Sequence, residues 1–125
     1  MIAGVGIDLC EISRMEKLLE EGKFLRRFFC AEEQAYIEGK GRTAAQTMAG
    51  VFAAKEALGK ALGVGLLGGE IRDICVLHDD QGAPYYDLRG EYAQIAAKKS
   101  VEKIHLSISH DGGIAAALCV AERDE

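Results

Sequence analysis

Val51-Phe52-Ala53-Ala54-Lys55-Glu56-Ala57-Leu58-Gly59-Lys60-Ala61-Leu62 reads as a long helix near the middle of a chain with a single proline. Alanine, leucine, lysine and glutamate sustain a helical ladder, and Gly63 stands where a left-handed cap is wanted. Ala54, Ala57, Leu58, Ala61 and Leu62 form an apolar stripe that belongs against the core. Glu56 and Lys60 share the other side, four residues apart, with Cβ atoms roughly 5–6 Å from each other. That spacing has two readings. One is a solvated ion pair worth about 0.2–0.5 kcal/mol. The other makes Glu56 a metal ligand and Lys60 a phosphate contact.

Working outward toward the start, Ile2 to Leu9 alternates, with Val5, Ile7 and Leu9 on one face and Gly4, Gly6 and Asp8 on the other. This predicts a buried strand ending in a carboxylate. Two glycines beside Asp8 imply close approach by a ligand or another backbone, and Asp8 itself suits either a turn or helix cap or a site. Ile12, Met15, Leu18 and Leu19 predict an amphipathic helix that ends at Gly22. Lys23 to Phe29 reads as a short turn. Its phenylalanines are core candidates, and Phe24, beside basic residues, also suits a partner anchor. Cys30-Ala31-Glu32-Glu33 opens a helix with acidic residues where the dipole favours them. Gly39 and Gly41 close it, and the central helix begins at about Arg42.

Toward the end, Gly65 to Gly69 is a connecting loop, while Ile71–His78 and Pro84–Leu88 form a hairpin around Asp79-Asp80-Gln81-Gly82. Glu91 to Lys99 is a further amphipathic helix. In the last hairpin, Ile104, Leu106 and Ile108 alternate with His105, Ser107 and Ser109. The turn is His110-Asp111-Gly112-Gly113, and Ile114, Ala116, Leu118 and Val120 carry the core face back. His110 reads either as a turn histidine bonded to nearby backbone or as part of a site. His78 and His105 read as structural.

A chain of 125 residues predicts one domain over 1–125, large enough to bury about two thirds of its unfolded surface. With 49% hydrophobic and 28% charged residues the composition is globular, without repeat, linker or low-complexity segment. No basic leader or long apolar run opens the chain, so secretion and membrane insertion are not expected and the cytoplasm is. Cys10, Cys30, Cys75 and Cys119 lack C-x-x-C spacing and are expected to be reduced and mostly buried. A net charge of −5 argues against nucleic acid as a partner. The local cluster Lys23, Arg26 and Arg27 suits an acidic protein surface instead.

Gly4-Val5-Gly6-Ile7-Asp8, then Phe52-Ala53-Ala54-Lys55-Glu56-Ala57 with Lys60-Ala61, then Leu106-Ser107-Ile108-Ser109-His110 resemble, in that order, the bacterial holo-acyl-carrier-protein synthases, small phosphopantetheinyl transferases. The likeness spans essentially the whole chain. It implies an α+β fold, a mostly antiparallel sheet packed on a long central helix, assembled as a homotrimer with coenzyme A in clefts between subunits. It also implies an activity: transfer of 4′-phosphopantetheine from coenzyme A to a serine of apo acyl carrier protein, releasing adenosine 3′,5′-bisphosphate, in fatty acid or polyketide synthesis.

By the same resemblance Asp8 and Glu56 are magnesium ligands, a donor set of the hard oxygens that this ion prefers. Lys60 supplies positive charge to the phosphates. His110 and Asp111 are candidates for polarising the incoming serine, with Glu56 also able to take the proton, and Ser109 lies in the substrate-binding strand end. Arg14, Phe24 and Arg27 match positions that meet the carrier protein. Two departures concern coenzyme A: Val51 stands where many members have arginine, and Ala83 where many have a basic residue. They leave room for a non-catalytic nucleotide- or carrier-binding module of the same fold. A metal-dependent phosphohydrolase is a third reading.

Overall fold

In the computed structural model, which describes residues 1–124, the central helix α4 spans Ala44–Ala61. Ala49, Ala53, Ala54, Ala57 and Leu58 have no exposed surface. Small side chains let neighbouring elements approach α4 from almost every direction. Around it run β1 (Ile2–Glu11), α1 (Ile12–Glu21), α2 (Lys23–Phe28) and α3 (Ala31–Glu38), then β2 (Ile74–His78), β3 (Pro84–Leu88), α5 (Gly90–Lys98), β4 (Val101–Asp111) and β5 (Ile114–Arg123). An antiparallel sheet in the order β1-β5-β4 packs on α4, and β2 and β3 form a separate antiparallel hairpin. This is the expected α+β arrangement. No helix among the described residues is long and apolar enough to cross a membrane.

β1 lies on α4 at backbone distance. A Cβ at Gly4 would collide with the carbonyl oxygen of Ala61, and one at Gly6 with that of Ala57. The glycines beside Asp8 therefore make room for another backbone.

This close approach reverses the expected faces of two strands. Val5, Ile7 and Leu9 are 54%, 60% and 66% exposed, whereas Gly6 and Cys10 are buried. In β5, Ala115, Ala117, Cys119 and Ala121 are the buried set, and Leu118 points outward. The small-residue face turns inward because only it admits the helix. On β4, Ile104, Leu106 and Ile108 do pack on the core, as expected. The register places Val5 beside Val120 and then His105, Ile7 beside Leu118 and Ser107, and Leu9 beside Ala116 and Ser109. The outer face of the sheet is thus an apolar strip with a polar margin along β4.

Several boundaries follow the sequence closely. Gly22 (φ +78°) ends α1 and Gly63 (φ +77°) follows α4, both left-handed. Residues Lys23–Phe28 form a short helix rather than a turn, and Ile71–Asp73 is a 3-10 turn that delays β2 to Ile74. The cysteines depart from expectation. Cys30 and Cys75 are joined in a disulfide, with Cα atoms 6.1 Å apart, because β2 docks beside the start of α3. Cys10 and Cys119 remain free and buried.

Candidate active site

Asp8 reaches the site from β1, and Glu56 and Lys60 from successive turns of α4. The Lys60 ammonium donates to Asp8 Oδ1 at 3.0 Å and to the Ile7 carbonyl oxygen at 2.9 Å. The second oxygen of Asp8, Oδ2, is buried without a hydrogen-bond partner among the described residues. Glu56 is half-buried. Burial, then repulsion from the adjacent Asp8 carboxylate, push its carboxyl up to about 7, against the nearby charges of Lys60 and Arg14. Two carboxylates brought this close repel unless a proton or a cation lies between them. Their oxygens, one of them orphaned, are the hard donors that suit magnesium. A groove lined by Ile7, Asp8, Leu9 and Lys60 and a second by Glu56, Lys60, Gly65 and Leu66 open on either side of Lys60.

Lys55, one residue before Glu56, does something else. It is completely buried and donates to Glu33 Oε1 at 2.7 Å and to the carbonyl oxygens of Ile74 (2.7 Å) and Ile71 (3.3 Å). Glu33 also accepts from the backbone N–H of Cys30 (2.8 Å) and Val76 (2.9 Å). The pair ties α3, α4 and β2 together. Burial holds Glu33 above and Lys55 below its ordinary range, so each relies on the other to carry charge.

His110 lies elsewhere in the chain. The Gln46 amide donates to its Nε2 at 3.0 Å. Gln46 precedes Glu56 by ten residues on α4, about 15 Å along the axis. Between β4, α4 and the β2–β3 hairpin is a cavity of about 190 Å³, lined by Gln46, Val51, His78, Pro84 and His110 among others. On one wall His78 stacks on Tyr36, with ring centroids 4.0 Å apart, and its Nδ1 is buried without a partner among the described residues. Ser109 and Asp111 are exposed on β4. Arg14 and Arg27 are exposed on α1 and α2, and Phe24 is half-buried, edge-on to Phe28 (4.9 Å) and Phe52 (5.2 Å). One chain thus joins Asp8, Glu56 and Lys60, with Arg14 near, but keeps His110 apart from them.

Residues 4–119 match the model of the 4′-phosphopantetheinyl transferase superfamily. The chain belongs to this family. A holo-[acyl-carrier-protein] synthase of Treponema denticola is 48% identical over 98% of this chain and 99% of its own length. The crystal structure of the Neisseria meningitidis holo-[acyl-carrier-protein] synthase superposes with a TM-score of 0.88 at 29% identity, covering 98% of this chain and all of that one. The Helicobacter pylori enzyme, solved in complex with coenzyme A, matches at a TM-score of 0.81 and 33% identity over 94% of this chain and 99% of its own. Within this phosphopantetheinyl transferase, the three blocks that carried the resemblance lie on β1, α4 and β4. Sequence reasoning missed Gln46, Tyr36 and the role of Lys55. Their partners are remote in the chain, and no local spacing signals them.

Proposed function

We propose that the chain is a magnesium-dependent holo-[acyl-carrier-protein] synthase that works as one domain over residues 1–125 in the cytoplasm, for a carrier of fatty acid or polyketide synthesis. It transfers 4′-phosphopantetheine from coenzyme A to a serine of apo acyl carrier protein. The serine oxygen forms a bond to the pantetheine-side phosphorus of the diphosphate, the bond to the bridging oxygen breaks, and adenosine 3′,5′-bisphosphate leaves. One observation carries the reading: Asp8, with an orphaned oxygen, stands beside Glu56 and Lys60.

Magnesium held by Asp8 and Glu56 would neutralise the diphosphate. Lys60, 54% exposed and tethered on one side only, swings its ammonium toward the phosphates as charge builds on the leaving group. Arg14, Phe24 and Arg27 receive the carrier protein. We assign His110 and Asp111 to polarising the serine and Ser109 to binding substrate.

His110 meets Gln46, which lies ten residues, about 15 Å, before Glu56 on α4, and this favours a site completed by a second copy of the chain. The exposed strip of Val5, Ile7, Leu9 and Leu118 supports a homotrimer with sites shared between subunits, since apolar patches of this kind mark interfaces. A non-catalytic module draws on the neutral Val51 and Ala83 but leaves the orphaned carboxylate without a use. Incubation with apo carrier protein, coenzyme A and magnesium should add one phosphopantetheine to the carrier mass, and chelator should stop it. Carriers of unchanged mass throughout would sink the proposal.

A further inference from the structure

The Cys30–Cys75 bond encloses the buried Glu33–Lys55 pair. Cys30 caps α3, and its N–H donates to Glu33. Cys75 lies between Ile74, whose carbonyl accepts from Lys55, and Val76, whose N–H donates to Glu33. The disulfide therefore joins the two backbone segments that form the walls around a fully desolvated ion pair. The far end of the β2–β3 hairpin carries His78, Gly82 and Pro84 into the cavity beside His110. Tyr86 of β3, whose hydroxyl donates to the Ala54 carbonyl at 2.6 Å, is another tether of the hairpin to α4. Glu32 has its carboxylate within 4.8 Å of both sulfurs, but Arg89 already engages it at 2.6 Å.

We infer that Cys30 and Cys75 are a redox-controlled staple: oxidation locks the β2–β3 hairpin onto α3 and α4, and reduction loosens the hairpin wall of the His110 cavity. In a reducing compartment such a pair is held as thiols, so the bond reports redox state instead of being a fixed cross-link. Closure is thiol–disulfide exchange with a low-molecular-weight disulfide. The Cys30 thiolate, from the more exposed of the two residues, attacks it and expels one thiolate. The Cys75 thiolate then attacks the mixed disulfide, forming the protein disulfide and expelling the second thiolate. The two cysteines lose two electrons and two protons overall, and the reagent gains them as two thiols. A dithiol reverses both steps.

The kinetic arm of the test rests on the proposed transfer activity, and the thermal arm does not. Full-length protein equilibrated with glutathione disulfide, then denatured and alkylated, should show two blocked cysteines, Cys30 and Cys75; after dithiothreitol it should show four reactive ones. Reduction should lower Tm by about 10 °C, as expected for opening a loop of this size. It should raise KM for coenzyme A about threefold, as for a wall formed in a third of the molecules, with kcat within twofold. A Cys10→Ser/Cys119→Ser variant should keep both responses, and a Cys30→Ser/Cys75→Ser variant should match the reduced protein and lose them. Four reactive thiols in the oxidised sample, an unchanged Tm, or an unchanged KM in a protein that does transfer would overturn the inference.

Discussion

Lys55 and Lys60 lie five positions apart on one helix, and each is paired with a carboxylate. The Lys55–Glu33 pair is closed: both side chains are wholly buried, and backbone groups of α3 and β2 complete the network around them. The Lys60–Asp8 pair is open: the lysine is 54% exposed, and one oxygen of the aspartate has no partner among the described residues. A saturated buried pair organises the fold, because any missing member leaves a bare charge in a dry interior. An unsaturated pair at the surface adds little stability and retains donors and acceptors for a ligand. Charge, spacing and residue type are nearly the same in the two cases. Saturation is what separates them.

Substitutions on either side test this contrast. Lys55→Met should cost about 3–5 kcal/mol in urea denaturation by stranding Glu33, while each folded molecule still transfers at close to the normal rate. A Glu33→Gln/Lys55→Met double variant should recover part of that loss. If Lys55→Met proves as stable as the parent, the closed pair is not structural. Glu56→Gln should do the reverse, lowering kcat at least about 100-fold with Tm and assembly little changed. Full turnover in this variant would break the metal assignment. Lys60→Ala should lower kcat about tenfold and change stability by less than about 0.5 kcal/mol.

The smallest effect expected is with pH. Glu56 is held at about 7, above its ordinary 4.5, so its share of stability is complete below pH 4.5 and disappears as pH rises through 7. In chelator, the parent should lose about 1 kcal/mol more than Glu56→Gln across that window, after allowing for solvent screening of a half-buried carboxyl. Parallel pH curves would show that burial and Asp8 do not raise the Glu56 carboxyl.

Local signals in the sequence carried much of the fold. Gly22 and Gly63 marked helix ends because a left-handed position is written in a single residue. The β2–β3 and β4–β5 hairpins followed from alternation and turn residues. Asp8, Glu56 and Lys60 were legible as a set through motif order, and the structure brings them together. Which face of β1 and β5 turns inward was not legible. Alternation marks two faces, and the decision rested on how near α4 could come. The Glu33–Lys55 pair spans 22 positions, Cys30 and Cys75 are separated by 45, and Gln46 meets His110 across 64. Such pairings are products of packing, so no window of sequence displays them.

Gly4 and Gly6 have one further consequence. With main chain resting on main chain, the spacing of the two backbones that carry the acid on the strand and the acid on the helix is fixed without any intervening side chain. A methyl group at Gly6 would wedge the two elements apart and widen the jaws proposed to receive the cation, even though it touches neither carboxylate. The bite of the site is thus dimensioned by what these two positions lack.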